Sequence, residues 1–228
     1  MKKIILYLII LVFAQFGCSE SNKQLPKILI IGDSISGGYF PYVKKSLAGK
    51  AKVFQPIYND RNGKTKSCCG GTSQGVNEID LFLFNKKWDV IHFNFGLHDI
   101  KHVDPVTGKN SKDLSHPRQA SPSEYRRNLI EIVEKLKQTG AKLIFATTTP
   151  YPDKLGRQMR SPGMPKIYNQ VALKIMDKNE IKINDLYNSV LPRMDDLQRP
   201  NNVHFKEKGS EFLAKQVVKS IMDIIYIN

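Results

Sequence analysis

The sequence predicts an α/β domain built on a parallel sheet of about five strands, with helices on both faces. Three observations carry this. Short apolar runs are continuous rather than alternating, as in strands buried on both faces. These runs take turns with amphipathic stretches of helical spacing. Chemistry-bearing residues fall just after the runs, where the strand ends of such a sheet gather on one edge.

The elements follow in order. Lys27-Ile28-Leu29-Ile30-Ile31 is apolar after one Lys and stops at Gly32, a first strand. Residues 39–47 predict a helix with Val43 and Leu47 inward, ended by Gly49. Residues 51–57 predict a second strand, and residues 76–84 have apolar positions at helical spacing. Residues 88–95 (WDVIHFNF) form the strongest strand signal. Residues 122–138 form the clearest helix: Ser121 caps it, Pro122 suits its first turn, Gly140 follows its end, and Leu129, Ile130, Val133 and Leu136 line one face. A strand at 142–147, a helix at 167–178, a short strand at 181–186 and a terminal helix at 206–225 complete the series. Two polar connections, 99–120 and 150–165, read as loops around a site.

The 228 residues suffice for one sizeable core, and 41% hydrophobic with 25% charged residues is a globular composition. The start reads as an export signal over residues 1–17. Lys2 and Lys3 precede an apolar run at 4–13 that is too short to span a bilayer as a mature helix. Ala14-Gln15-Phe16-Gly17-Cys18 resembles a bacterial lipoprotein cleavage box, with Cys18 as the lipidated residue, although Gln15 stands where an aliphatic residue is usual. Residues 18–24 then form a lipidated tether and residues 25–228 the domain, held at the membrane of the cell envelope by its lipid. Cys68 and Cys69 remain, either as thiols or as a strained disulfide between neighbours. The net charge of +14 falls to +12 without Lys2 and Lys3. Its lysines are scattered and no nucleic-acid motif accompanies them, so nucleic acid is not an expected partner. A solvated basic surface and attraction to an acidic polymer both stay open. Nothing in the sequence sets an oligomeric state.

Four short motifs stand at strand ends: Gly32-Asp33-Ser34-Ile35, Cys69-Gly70-Gly71-Thr72-Ser73, Gly96-Leu97-His98-Asp99 and Val203-His204-Phe205. Each is weak alone. A Ser at a strand-to-helix turn is exposed near a helix N-terminus, which favours negative charge. A Gly lets backbone approach a substrate oxygen.

Together, from Lys27 to Ile225, the four motifs resemble the SGNH (GDSL) hydrolase family. The resemblance implies a flavodoxin-like three-layer α/β/α sandwich and a serine esterase that needs no metal or organic cofactor. It places the nucleophile at Ser34, an oxyanion-binding backbone N–H at Gly70 and the base at His204. Thr147-Thr148-Thr149-Pro150 also looks like a strand end of that family.

Two departures matter. The family's third motif carries an Asn that donates to the oxyanion; here the position is His98, whose ring N–H can also donate. Asp99 beside it is expected to hold loop backbone. The family's Asp, three residues before the His, is Asn201, and Asn202 follows. An Asn carbonyl can hold the imidazole N–H without offsetting imidazolium charge. The expectation is a Ser-His pair, assisted by Asn201 or a backbone carbonyl; Asp195 and Asp196 are the alternatives.

No apolar lid of the kind a lipase needs is evident. Lys101, His102, Lys112, His116 and Arg118 in one site loop, and Arg157 and Arg160 in the other, suit a polar or anionic substrate, or simply solvate the loops. The preferred reading is removal of acetyl from a carbohydrate ester, small or polymeric. A non-catalytic glycan-binding lipoprotein and a lysophospholipase or thioesterase are the competing readings.

Overall fold

A computed structural model describes residues 24–59, 63, 65–66, 69–154 and 160–226. The export signal, Cys18, Cys68 and Arg157 lie outside the described residues, so the expectations placed on them do too.

The chain runs β1 (Lys27–Ile31), α1 (Ser34–Ser46), β2 (Lys52–Phe54), a small antiparallel hairpin of β3 (Tyr58–Asn59) and β4 (Thr65–Lys66), then α2 (Thr72–Leu83) and β5 (Val90–Phe93). After a long connection come α3 (Pro122–Gln138), β6 (Lys142–Ala146), α4 (Met164–Lys178) and β7 (Lys182–Asn184). The short helices α5 (Leu186–Val190) and α6 (Met194–Leu197) lead to the terminal helix α7 (Glu207–Tyr226).

The sheet has five strands in the order β2-β1-β5-β6-β7, all parallel. Leaving out the hairpin, this is the flavodoxin-like order. Helices α1 and α7 pack together on one face, and α2, α3 and α4 form the other layer. The expected three-layer parallel architecture is the observed one. Strands β1 and β5 are central and apolar on both faces: Ile28 to Ile31 and Val90, Ile91 and Phe93 are all fully buried. His92 shares that core, edge-on to Tyr39, and accepts from Asn184 Nδ2 at 3.1 Å. Burial pushes its pKa down to about 4, so the ring is neutral.

The chain leaves β1 toward β2 and later returns on the other side of β1 as β5. That reversal opens a crevice at the carboxyl ends of β1 and β5, and the site lies there.

Boundaries differ from expectation where caps decide them. Helix α1 begins at Ser34, before the expected residue 39, because the Asp33 side chain accepts the Ile35 N–H at 2.8 Å and nucleates the turn through Gly37 and Gly38. Strand β2 is only three residues long, shorter than the expected 51–57. Helix α3 keeps its predicted ends, with Ser121 and Glu124 forming a reciprocal capping box. Among the described residues no helix is long and apolar enough to cross a membrane.

Candidate active site

Ser34 is the first residue of α1, exposed at the end of β1. Its Oγ lies 2.9 Å from His204 Nε2, a pairing across 170 positions of sequence. His204 sits between α6 and α7, where Gln198 and Phe205 form an isolated antiparallel bridge. On the other side of the ring, Nδ1 lies 2.8 Å from Asn202 Oδ1. A carbonyl oxygen only accepts, so the ring proton is on Nδ1, and Nε2 is left to accept the Ser34 hydroxyl proton.

This corrects one expectation. Asn201 does not hold His204; Asn202 does. Asn201 adopts a left-handed backbone (φ 52°) and is exposed, and this turn brings the following side chain, not its own, onto the imidazole. Neither alternative is the partner: the two His204 ring nitrogens meet Asn202 Oδ1 and Ser34 Oγ, and Asp196 is paired with Lys208 and with Arg193.

The second motif is drawn to the first by the Cys69 N–H, which donates to Gly32 O at 2.9 Å. Cys69 itself is buried. The Gly70 N–H, expected to face an oxyanion, donates instead to Gln74 Oε1 at 2.8 Å. Gln74 must swing away for Gly70 to serve a substrate. Gly71 is required by crowding: a Cβ there would lie 2.8 Å from Gln119 Nε2 and 3.0 Å from Asp99 Oδ1. Asp99 holds backbone as expected. Its Oδ1 accepts the Thr72 N–H at 2.8 Å and the Thr72 hydroxyl at 2.6 Å, joining the second and third motifs. Its Oδ2 is buried with no partner among the described residues, and burial pushes the pKa up to about 6.

His98 follows β5 and is half-buried. Its Nδ1 lies 3.0 Å from Lys101 Nζ. An ammonium has donors only, so Nδ1 must accept and the ring proton must sit on Nε2. Burial first, then the Lys101 and Arg160 charges, push the His98 pKa down to about 3. His98 is therefore a neutral ring with one N–H donor, at Nε2, the form an oxyanion needs. From sequence Lys101 is expected only as a basic loop residue; its i, i+3 spacing from His98 is the signal for this contact.

The surrounding charge is mostly positive. Arg160 is buried and donates from Nε to Leu97 O at 2.9 Å. Burial and the neighbouring Arg199, Arg160 and Lys101 charges lower the His204 pKa, against the opposing pull of Asp33. His204 is thus unprotonated near neutrality and able to accept a proton. Asp33, buried behind Ser34, has its own pKa raised by burial. The two site loops are fastened to each other: His102 Nδ1 donates to His116 O at 2.6 Å, and His102 Nε2 accepts from Ser161 Oγ at 3.0 Å. Among the described residues no group of three or more His, Cys, Asp or Glu side chains is gathered to hold a metal ion.

An exposed Ser bonded to an oriented, neutral His at a strand-end crevice defines a nucleophile-and-base arrangement. The model of the GDSL-like lipase/acylhydrolase family matches residues 30–212, and the chain belongs to that family. It is, with that membership, a carboxylic ester hydrolase. No curated protein matches it. Solved structures share its fold at low identity. An acetyl xylan esterase, AlAXEase, superposes with a TM-score of 0.66 at 17% identity, covering 86% of this chain and 99% of that one. A lipase/acylhydrolase from Enterococcus faecalis gives 0.67 at 19%, covering 88% and 97%. A variant of Axe2, an acetyl-xylooligosaccharide esterase from Geobacillus Stearmophilus, gives 0.64 at 18%, covering 86% and 94%.

Proposed function

We propose that the protein is a serine esterase that removes O-acetyl groups from a carbohydrate, with Ser34 as nucleophile and His204 as base. The observation that carries this is the continuous hydrogen-bond chain Ser34 Oγ to His204 Nε2 and His204 Nδ1 to Asn202 Oδ1. In the reaction His204 takes the Ser34 proton as Oγ attacks the ester carbonyl. The oxyanion is met by the Ser34 N–H at the start of α1, by the His98 Nε2–H, and by the Gly70 N–H once Gln74 has moved. His204 gives the proton to the leaving alcohol. Water then attacks the acyl-enzyme, deprotonated by the same ring, and acetate leaves.

The cleft beside the pair supports a sugar rather than a long acyl chain. It is small, about 190 Å³, and its walls include Arg199 and Ser210. Two of the structural neighbours are named for acetyl esters of xylan or xylooligosaccharide, the class of ester proposed. The protein acts in the cell envelope, tethered by lipid on Cys18 in this reading; a fatty-acid label carried by wild type and absent from Cys18→Ala checks that.

The test of activity is p-nitrophenyl acetate hydrolysis by the purified chain beside Ser34→Ala. The variant is expected to lose both the acylation burst and turnover; a retained burst overturns the assignment. Faster hydrolysis of octanoyl than of acetyl esters would favour the long-chain reading.

A further inference from the structure

The cleft of about 190 Å³ lies on one side of the nucleophile only. Its lining includes Ser34, Gly38, Arg199, His204 and Ser210, but neither Gly70 nor His98. Those two stand where the carbonyl oxygen is expected. His204 delivers a proton to the departing oxygen, so the alcohol half of the ester leaves on the His204 side. The cleft therefore faces the alcohol.

Arg199 is held firmly in that wall. Its backbone N–H donates to His204 O at 2.9 Å, and its Nε donates to Phe205 O at 3.1 Å. With Nε used, the terminal Nη groups of this exposed guanidinium have no hydrogen-bond or carboxylate partner among the described residues. They form a planar pair of donors on a rigid base, the arrangement that grips a carboxylate in two parallel bonds. Glu207, the acidic residue in the first turn of α7, accepts from Tyr42 Oη at 3.1 Å. Gly38 keeps room: a Cβ there would stand 3.3 Å from Ser210 Oγ, across the cleft. The field at His204 agrees, since Arg199, Arg160 and Lys101 are its cationic neighbours and buried Asp33 is the one opposing charge.

Resting on the acylhydrolase reading, we infer that this cleft is a subsite for a carboxylate on the alcohol half of the ester, held by Arg199. The substrate class is then an O-acylated sugar acid rather than a neutral sugar. The carboxylate meets the Arg199 fork, Ser210 offers a hydroxyl to the ring, and the acylated oxygen lies between Ser34 and His204.

The test uses a matched pair, glucuronate and glucuronamide, which differ in charge and little in shape. Both are titrated into the full chain while the Arg199 Nε–H is followed by NMR. Glucuronate is expected to shift that resonance and to bind about tenfold tighter than the amide. In Arg199→Gln the preference is expected to vanish, read from the other cleft resonances. Gly38→Leu, which fills the cleft and leaves Arg199 in place, is expected to weaken both ligands. Equal binding of acid and amide by wild type, or a preference that survives in Arg199→Gln, overturns the inference. Binding needs no turnover, so this outcome is separate from that of Ser34→Ala, which bears on the esterase reading alone.

Discussion

Asn202 Oδ1 accepts two hydrogen bonds from His204 at once, the backbone N–H at 3.0 Å and the ring Nδ1–H at 2.8 Å. The first explains why an Asn can serve here. An amide can turn either its oxygen or its NH2 toward an imidazole, and the NH2 would impose the wrong tautomer. A backbone N–H accepts nothing, so it fixes the oxygen inward. In the Ser-His-Asp template, replacing Asp by Asn costs about 10⁴ in turnover through the wrong tautomer; here the Asn oxygen holds the tautomer with its proton on Nδ1.

Asn202→Ala is therefore expected to lower kcat/KM on the order of 10²–10⁴, whereas Asn201→Gly, which keeps the left-handed turn, stays near wild type. In Asn202→Asp a carboxylate favours imidazolium and raises the His204 pKa. Since the base works unprotonated, the acid limb of kcat/KM moves to higher pH. The pH profiles of the three variants check this.

Lys101→Met removes the donor that obliges His98 to carry its proton on Nε2. kcat is expected to fall about tenfold with KM little changed, part of the 10²–10³ that a whole oxyanion donor is worth. A Lys101 that acts through His98 makes the double variant with His98→Ala no worse than His98→Ala alone. The ¹⁵N shifts of His98 report the tautomer directly.

Asp99 ties pH to stability. Its pKa is about 6 in the folded protein against the ordinary aspartate value of 3.8. The folded state thus holds the proton more tightly than the unfolded chain. The stabilisation is fully present below pH 3.8 and is lost as pH rises through about 6, on the order of 3 kcal/mol at the upper limit. Asp99→Asn keeps an acceptor for Thr72 and stays neutral. Urea unfolding between pH 4 and 7 is expected to show a shallower decline with pH in that variant than in wild type.

Gln74→Ala frees the Gly70 N–H from Gln74 Oε1. The side-chain carbonyl occupies the donor that an ester oxyanion would use, so its removal is expected to raise kcat/KM by a few fold, and steady-state kinetics on acetyl esters reads this. Unchanged kinetics would mean that the Gly70 N–H takes no part.

The sheet was legible because its strands are buried on both faces and so read as largely apolar runs: β1 is unbroken after Lys27, and β5 is interrupted only by His92. The hairpin of β3 and β4 has two-residue strands and no such run. The pairing of Ser34 with His204 was legible from motif order, since each follows or precedes a regular element. Asn202 was not. A one-residue difference in which side chain reaches His204 depends on the backbone sign at Asn201, which spacing does not encode. Arg199 was missed for a related reason: its place beside His204 comes from the bridge of Gln198 with Phe205, a fold-back that no periodicity announces. The early start of α1 rests on the Asp33 cap, which carries the helix through two consecutive glycines.

The His102 imidazole spans two chain segments, bonded to His116 O on one and Ser161 Oγ on the other. Segments joined in this way do not open independently. Amides around residues 102–118 and around residue 161 are expected to exchange with solvent as one cooperative unit, and a protease that nicks either segment would loosen its partner. The rim of the crevice thus behaves as a single moving part, even though the chain supplies it from both sides of β6.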